Sequence, residues 1–249
     1  MNETRRQLLT SISLAGAGAV LIGCRAKPSG TAGGSTNDEN KEPATGEATQ
    51  IEVTATEDLM REHGVLRRAL LVYQESAVKL RQDAGAFPAD VIEKTAQLFR
   101  VFGEDYHEKR LEEDFIIPLI KKVQGPVAAF GDVLLAQHAR GREITDYLLS
   151  VSKADRIATN QVENVAKTLE SFVRMYQHHA AVEDTVVFPA WKSATGSEEY
   201  DELNDKFEDI ENEMFGGDGF GSALKRIEDI EASLGLTNLD MFTAPPPPK

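Results

Sequence analysis

Four long segments of the 249-residue chain carry an apolar residue at alternating spacings of four and three. This spacing places the apolar side chains on one face of an α-helix, and such a face is stable only when it packs against other helices. The segments cover about residues 56–82, 89–121, 126–152 and 158–188, with short breaks between them. No convincing strand pattern interrupts them. The pattern predicts an all-α fold, an antiparallel four-helix bundle.

Two shorter amphipathic segments follow at about 200–214 and 224–234, and the glycine-rich FGGDGFG separates them. Neither has enough apolar area to fold alone, so we expect both to form additional C-terminal helices packed on the bundle. The chain ends in PPPPK, which is typical of a stiff, solvated tail. We therefore expect one helical bundle domain over residues 56–235 and a Pro-rich tail over 236–249.

The first 24 residues have the features of an export signal. Paired arginines in TRRQLL (4–9) precede an uncharged, mostly apolar run that is too short to span a membrane. The pair resembles a twin-arginine (Tat) signal, and LIGC resembles a lipobox with lipid attachment at Cys24. We expect residues 1–23 to be a twin-arginine-type lipoprotein signal peptide. Residues 24–55, rich in Gly, Ser, Thr and acids, are expected to form a flexible linker.

The charge balance and the single cysteine exclude several classes of function. A net charge of −14 argues against a nucleic-acid surface, which needs clustered Lys and Arg, and against electrostatic docking on anionic lipid. Cys24 is the only cysteine, so neither an intrachain disulfide nor a cysteine nucleophile is expected. We expect an exported protein on the periplasmic or cell-envelope face, in contact with a membrane only through an N-terminal lipid anchor.

Each of the four bundle helices carries at least one histidine, and three of these, His63, His138 and His179, lie on an apolar stripe. A single histidine on such a face is usually a core residue with a hydrogen-bond partner. Several imidazoles and carboxylates buried without partners would each cost several kcal/mol, so a shared purpose is expected. A bound cation would satisfy all of them together.

The stretch MYQHHAAVED (175–184) contains two adjacent histidines. His179 and Glu183 are four residues apart, so both fall on the apolar stripe, one helical turn from each other. His178 is rotated by about 100° from that face and should point outward or to a seam between helices. The spacing therefore selects His179 as the candidate ligand.

The second helix contains EDYHEKRLEEDFIIP (104–118), in which the partner of His107 is ambiguous. His107 and Glu112 are five residues apart, about 140° around a regular α-helix, so they would not face one site. A π-bulge would restore their phase, and such bulges occur at functional sites. Without a bulge, Glu108 or Glu104 is the better candidate.

Four motifs in order resemble the hemerythrin-like (HHE cation-binding) family. They are EH at 62–63, YHEKRLEEDFIIP at 106–118, AQH at 136–138 and MYQHHAAVEDTVVFPAW at 175–191. The resemblance extends over roughly residues 56–235. It implies a four-helix bundle that holds two non-haem irons bridged by carboxylates.

By position in these motifs, the resemblance implies six metal ligands. One histidine from each helix would supply the imidazoles, and two glutamates able to bridge would supply the carboxylates: His63, His107, His138, His179, Glu112 and Glu183. The spacing in the second helix is longer by one residue than the family's usual HxxxE. The histidine set is also smaller than the five of the oxygen-carrying members, which implies a more open iron.

Three tyrosines lie close to the proposed ligands in the sequence or on the stripe, namely Tyr73, Tyr106 and Tyr176. Each is a candidate donor of a hydrogen bond to bound oxygen, or a further ligand. The alternative for each is core packing with a satisfied hydroxyl.

Nitrogen and carboxylate ligands without thiolate suit iron, manganese or zinc, and the expected cofactor is a pair of iron ions. Ferritin-like di-iron bundles need Glu-x-x-His on two helices, and only Glu104 and His107 show that spacing. We expect a non-haem di-iron protein that binds or senses dioxygen or a related small ligand, such as peroxide or nitric oxide. The alternatives are a di-iron oxidoreductase of peroxidase or ferroxidase type, an iron-handling protein, or a purely structural role.

Overall fold

Helix α1 (Ala55–Asp83) begins at a capping box in the computed structural model of the chain, which describes residues 53–248. The Thr54 hydroxyl accepts a hydrogen bond from the backbone N–H of Glu57, and the Glu57 carboxylate accepts one from the backbone N–H of Thr54. These two bonds satisfy donors that the start of a helix otherwise leaves unpaired. The predicted signal peptide, Cys24 and nearly all of the linker lie outside the described residues, so they stay predictions.

Four long helical segments form the bundle, which confirms the all-α prediction, and residues 53–248 contain no strand. A four-residue 3₁₀ turn (Pro126–Ala129) precedes the third segment, and a three-residue one (Thr159–Gln161) precedes the fourth. No helix among the described residues is both long and apolar enough to cross a membrane. The first segment is α1, and the third is α4 (Phe130–Val151). The second segment consists of α2 (Ala89–Leu98), π1 (Phe99–Ile116) and α3 (Ile117–Ile120). The fourth segment consists of α5 (Val162–Val182), π2 (Glu183–Val187) and α6 (Phe188–Ala194).

The second and fourth segments each contain backbone wound with hydrogen bonds between residues five apart, the π-helical pattern. At the end of π1 the N–H of Ile117 donates to the carbonyl of Glu112, and at the end of π2 the N–H of Phe188 donates to the carbonyl of Glu183. Regular α-helix uses a spacing of four, and π segments are rare outside functional sites. In both π segments, therefore, the backbone carbonyl of a predicted carboxylate ligand accepts the last of these hydrogen bonds.

The π winding corrects one expectation about the fourth segment. The regular α-helical period predicts that Val186 faces the core, yet Val186 is 39% exposed and Val187 is buried. Each π turn contains an additional residue, so the inward position moves one residue along the chain. The segment also continues beyond the predicted end at 188, through Pro189 to Ala194.

Two C-terminal helices, α7 (Ser197–Phe215) and α8 (Gly219–Leu234), pack on the bundle as predicted. The buried ring of Trp191 stacks on Phe207 of α7, with centroids 5.9 Å apart. The guanidinium of Arg68 in α1 forms an ion pair with Glu231 of α8. Apolar stacking and a half-buried ion pair thus attach both helices to the outer surface of the bundle.

An aromatic layer fills the bundle core beside the predicted ligands. The rings of Tyr73, Phe99, Phe172 and Tyr176 are all buried, and Phe99 meets Phe172 edge to face with centroids 4.8 Å apart. Aromatic pairs in this geometry add to the stabilisation that burial itself provides. The layer closes one end of the polar cluster and separates it from water.

Candidate metal centre

The six residues predicted as metal ligands converge in one buried cluster in the middle of the bundle. None of the six is more than 3% exposed. Their helices explain the convergence, because each helix presents its histidine on the face that packs toward the bundle axis. The first segment supplies His63, the second His107 and Glu112, the third His138, and the fourth His179 and Glu183.

Glu112 lies between two imidazoles from different helices. Its Oε1 is 3.4 Å from Nε2 of His107, and its Oε2 is 3.2 Å from Nε2 of His138. The i→i+5 winding of π1 brings Glu112 one turn from His107, which a regular α-helix would not do. The carboxylate therefore lies between the second and third segments, with one oxygen facing the imidazole of each.

Glu183 faces the other two imidazoles, but through a single oxygen. Its Oε2 is 3.4 Å from Nε2 of His63 and 3.1 Å from Nε2 of His179. The donor atoms form two overlapping groups whose members all lie within 4.8 Å of one another. We call these position A, defined by His63, His107 and Glu112, and position B, defined by Glu112, His138, His179 and Glu183.

Several of these donor atoms have no hydrogen-bond partner among the described residues. They are both carboxylate oxygens of Glu112, both of Glu183, and Nε2 of His138. Buried polar atoms without partners cost about 1–3 kcal/mol each, and more when charged. The Nε2 atoms of His63 and His107 also lie 3.0 Å apart. When both rings carry their proton on Nδ1, neither Nε2 can donate to the other, and a cation between these oxygens and nitrogens would satisfy them. The donor set, nitrogen and carboxylate without thiolate, suits iron, manganese or zinc.

The outer nitrogen, Nδ1, of each of the four inward imidazoles donates a hydrogen bond to an oxygen on a neighbouring helix, which fixes the ring. An acceptor at Nδ1 keeps the proton on that nitrogen and leaves the lone pair of Nε2 free for a metal. The four Nδ1···O distances are 2.7–3.1 Å. The pairs are His63 with Asp184, His107 with Glu62, His138 with Glu113, and His179 with Gln137.

The sequence analysis did not predict these four hydrogen-bond partners of the histidines, although they lie within motifs that occur twice in the sequence. EHGVLR (62–67) in the first segment matches QHARGR (137–142) in the third. EEDFIIP (112–118) in the second segment matches EDTVVFP (183–189) in the fourth. Each partner directly precedes or follows a ligand in these motifs. The site thus has approximate two-fold internal symmetry, with helices one and two equivalent to helices three and four.

The two alternative candidates from the sequence, Glu108 and Glu104, bond to other side chains, although Glu108 also lies in a third group of possible ligands with Glu113 and His138. Glu108 accepts a hydrogen bond from the hydroxyl of Tyr176 at 2.5 Å and lies 3.3 Å from Arg142. Glu104 accepts a hydrogen bond from the hydroxyl of Thr145 at 2.5 Å. The π winding explains this arrangement, because it turns Glu112 rather than either of them toward the Nε2 of His107.

The three tyrosines near the site differ in what they contact. Tyr106 donates to the carboxylate of Glu62 at 2.9 Å, and Tyr176 donates to Glu108. The hydroxyl of Tyr73 is buried and makes no hydrogen bond within residues 53–248. Tyr106 and Tyr176 therefore orient buried carboxylates around the centre.

A small cavity adjoins the imidazoles of His63, His107 and His179. Leu66 and Leu70 contribute apolar wall, and Tyr176 contributes a polar edge. Its volume of about 10 Å³ corresponds to roughly one water-sized molecule. The space next to the centre is therefore limited to very small ligands.

Burial and mutual charge shift the pKa values of the ligands in opposite directions. Burial raises the pKa of Glu183 to about 7, and the charge of Glu112 adds to this effect. Burial likewise lowers the pKa of His179 to about 4, helped by His138. Burial would lower the pKa of His138, but the nearby carboxylates of Glu108, Glu112 and Glu113 outweigh this effect and raise the pKa to about 10. Protons and a metal would therefore compete for the same atoms, since bound metal requires neutral imidazole and ionised carboxylate.

Glu104 is expected to make the stability of the metal-free protein depend on pH. Burial raises the pKa of this carboxyl from 4.5 to about 7, against the opposing hydrogen bond from Thr145. Its stabilising contribution is complete below the unfolded pKa of 4.5 and is lost as the pH rises through about 7, because the folded state retains the proton longer. Between pH 5 and pH 8 we expect a loss of roughly 2–3 kcal/mol from this group.

Urea unfolding of wild type and Glu104→Gln at both pH values measures this loss. Glutamine keeps the shape and cannot ionise, so the variant should lose roughly 2–3 kcal/mol less than wild type between pH 5 and pH 8. The exposed substitution Glu199→Gln serves as a control and should follow wild type. Parallel pH profiles for wild type and Glu104→Gln would contradict the raised pKa.

Comparison with known proteins finds one matching family and similar proteins from two mycobacteria. The sequence profile of the Hemerythrin HHE cation binding domain matches residues 54–191, which include all six converging residues. Uncharacterized proteins of Mycobacterium tuberculosis and Mycobacterium bovis are 38% identical over 241 residues, covering 96% of this chain and 90% of each relative. No solved structure matches the chain significantly.

Proposed function

The chain belongs to the hemerythrin HHE cation-binding family, and we propose that it is a non-haem di-iron protein that binds or senses a small ligand such as dioxygen. One observation carries the proposal. Two buried glutamates without hydrogen-bond partners each face two imidazoles from different helices. Two overlapping donor groups that share Glu112 fit two metal ions better than one.

The number of protein donors supports exchangeable ligand binding. Four imidazoles and two bridging carboxylates supply eight donor atoms, whereas two octahedral ions take about twelve. When bound, two irons would supply open coordination positions and one-electron redox changes. The cavity beside His63, His107 and His179 is about the size of one water molecule, so it restricts an exchangeable ligand to the smallest molecules.

The protein's own residues support this function by fixing geometry and excluding water. The Nδ1 hydrogen bonds hold each imidazole with Nε2 inward, and the aromatic layer covers the centre. The twin-arginine pattern and Cys24 support a location outside the cytoplasm, at the cell envelope.

Metal analysis together with an absorption spectrum tests the proposal. The full-length protein from iron-replete cells should contain about two irons per chain and absorb in the near ultraviolet, where zinc does not. A folded protein that contains no metal and takes up none would refute the proposal. Steady turnover of peroxide with a reductant would instead indicate the di-iron oxidoreductase.

The adjacent histidines of the fourth segment form a matched pair for mutation. His179→Ala removes an inward imidazole, so we expect the loss of about one metal ion per chain from position B. His178 is exposed, so His178→Ala should keep the full metal content. Metal content by mass spectrometry after gel filtration is the measurement, and equal losses in both variants would contradict the assignment.

A further inference from the structure

The two halves of the centre match in their outer hydrogen bonds except at one pair of residues. His63 donates to Asp184, and the equivalent His138 donates to Glu113. Both of these carboxylates also pair with an arginine four residues after the histidine, Arg67 in the first case and Arg142 in the second. These contacts therefore match in charge and in the spacing of the arginine from the histidine, although one carboxylate belongs to an aspartate and the other to a glutamate.

The remaining pair differs in charge. His107 bonds to the carboxylate of Glu62 at 2.7 Å, whereas the equivalent His179 bonds to the neutral amide oxygen of Gln137 at 2.8 Å. Glu62 is 1% exposed, and within residues 53–248 no basic side chain pairs with it apart from His107 itself. Its second oxygen accepts a hydrogen bond from the hydroxyl of Tyr106. A buried carboxylate without a lysine or arginine partner is costly to keep, which points to a role.

The difference in charge changes the imidazoles as metal ligands. A carboxylate draws the Nδ1 proton toward itself, and this raises the electron density and basicity at Nε2. A neutral amide oxygen makes a weaker bond and has a smaller effect. Glu112 and Glu183 each face one imidazole of position A and one of position B, so their charges favour neither position. The additional negative charge of Glu62 lies closer to position A, where it attracts a cation.

We propose that Glu62 and Gln137 make the two metal positions unequal, so that position A fills first and holds a divalent ion more tightly than position B. This inference rests on the proposed function, because it presupposes that both positions bind metal. Glu62 and Gln137 are positioning residues that act through His107 and His179.

Loading the full-length, metal-stripped protein with one equivalent of Mn²⁺ locates the first ion directly. Anomalous scattering from crystals of this form should show one ion beside His63 and His107. Equal occupancy of the two positions, or an ion only beside His138 and His179, would overturn the inference. If Mn²⁺, Zn²⁺ and Fe²⁺ all fail to bind, the proposed function itself is wrong, which is a different result.

Reciprocal substitutions test which residues cause the preference. Glu62→Gln should weaken the first Mn²⁺-binding step by about 10- to 100-fold, and Gln137→Glu should strengthen binding at position B. The double variant Glu62→Gln with Gln137→Glu conserves net charge and should transfer the single Mn²⁺ to position B. Calorimetric titration gives the affinities, and crystals loaded with one equivalent give the position.

Two controls separate this role from a structural one. The exposed substitution Glu198→Gln removes the same charge far from the centre and should leave both steps unchanged. If Glu62→Gln does not fold, Gln137→Glu alone still decides, because it adds a charge at a half-buried site and leaves Glu62 in place. An unchanged preference for position A in the double variant, or an unchanged affinity of position B in Gln137→Glu, would overturn the inference.

Discussion

Glu112→Gln should leave the protein folded but unable to hold either metal ion. The two oxygens of Glu112 face His107 in position A and His138 in position B, so this residue belongs to both donor groups. An amide lacks the negative charge and offers only one oxygen. Substitution of the residues that merely orient metal ligands costs about 10- to 100-fold in affinity, so we expect a loss of at least ~100-fold at both positions.

Glu108→Gln is the matched control for this experiment. Glu108 is also buried, belongs to the same π segment and loses the same charge, but it bonds to Tyr176 and Arg142. We therefore expect Glu108→Gln to retain two metal ions after gel filtration. If Glu108→Gln lost the metal and Glu112→Gln kept it, the assignment of the second-segment ligand would be wrong.

Removal of the metal should lower the melting temperature of the protein by several degrees. Without a cation the oxygens of Glu112 and Glu183 are buried without hydrogen-bond partners. A ligand that binds only the folded state at 1,000 times its Kd stabilises it by about 4 kcal/mol. For a domain of this size that corresponds to a rise in Tm of roughly 8–16 °C.

Far-ultraviolet circular dichroism of chelated and reloaded protein measures the shift. The gain should be reversible on repeated chelation, and it should be absent in Glu112→Gln, which retains the fold but not the donors. Equal Tm values for chelated and loaded wild type would show that the cluster is stable without a cation. The same titration with Zn²⁺ separates stabilisation by charge from any contribution of iron chemistry.

Much of the fold follows from the spacing of apolar residues. The four-three stripe predicts four helices, and α1 (Ala55–Asp83) differs from its predicted bounds by one residue at each end. The period fails at Val186, which is exposed, because two segments are wound with five-residue hydrogen bonds. Local sequence does not specify such winding, since a π segment is less stable than α-helix in isolation and persists only through tertiary contacts.

The residues that surround the ligands show a different limit. Glu62 and Gln137 adjoin ligand histidines in the sequence, yet each bonds to a histidine on another helix, 45 and 42 residues away. Adjacency along a helix places the two side chains of a pair such as Glu62 and His63 about 100° apart. Which neighbouring helix each of these two side chains contacts depends on how the helices pack in the bundle.

The sequence by itself determined the all-α class, the bundle helices and an inward histidine on three of the four helices, because periodicity and residue type are properties of a single helix. Only the tertiary structure decided that Glu112 rather than Glu104 or Glu108 faces His107, because that choice depends on the winding of π1. It also decided that a carboxylate orients His107 while an amide orients His179. Hydrogen bonds between helices form only after packing has set the rotation of each helix about its axis.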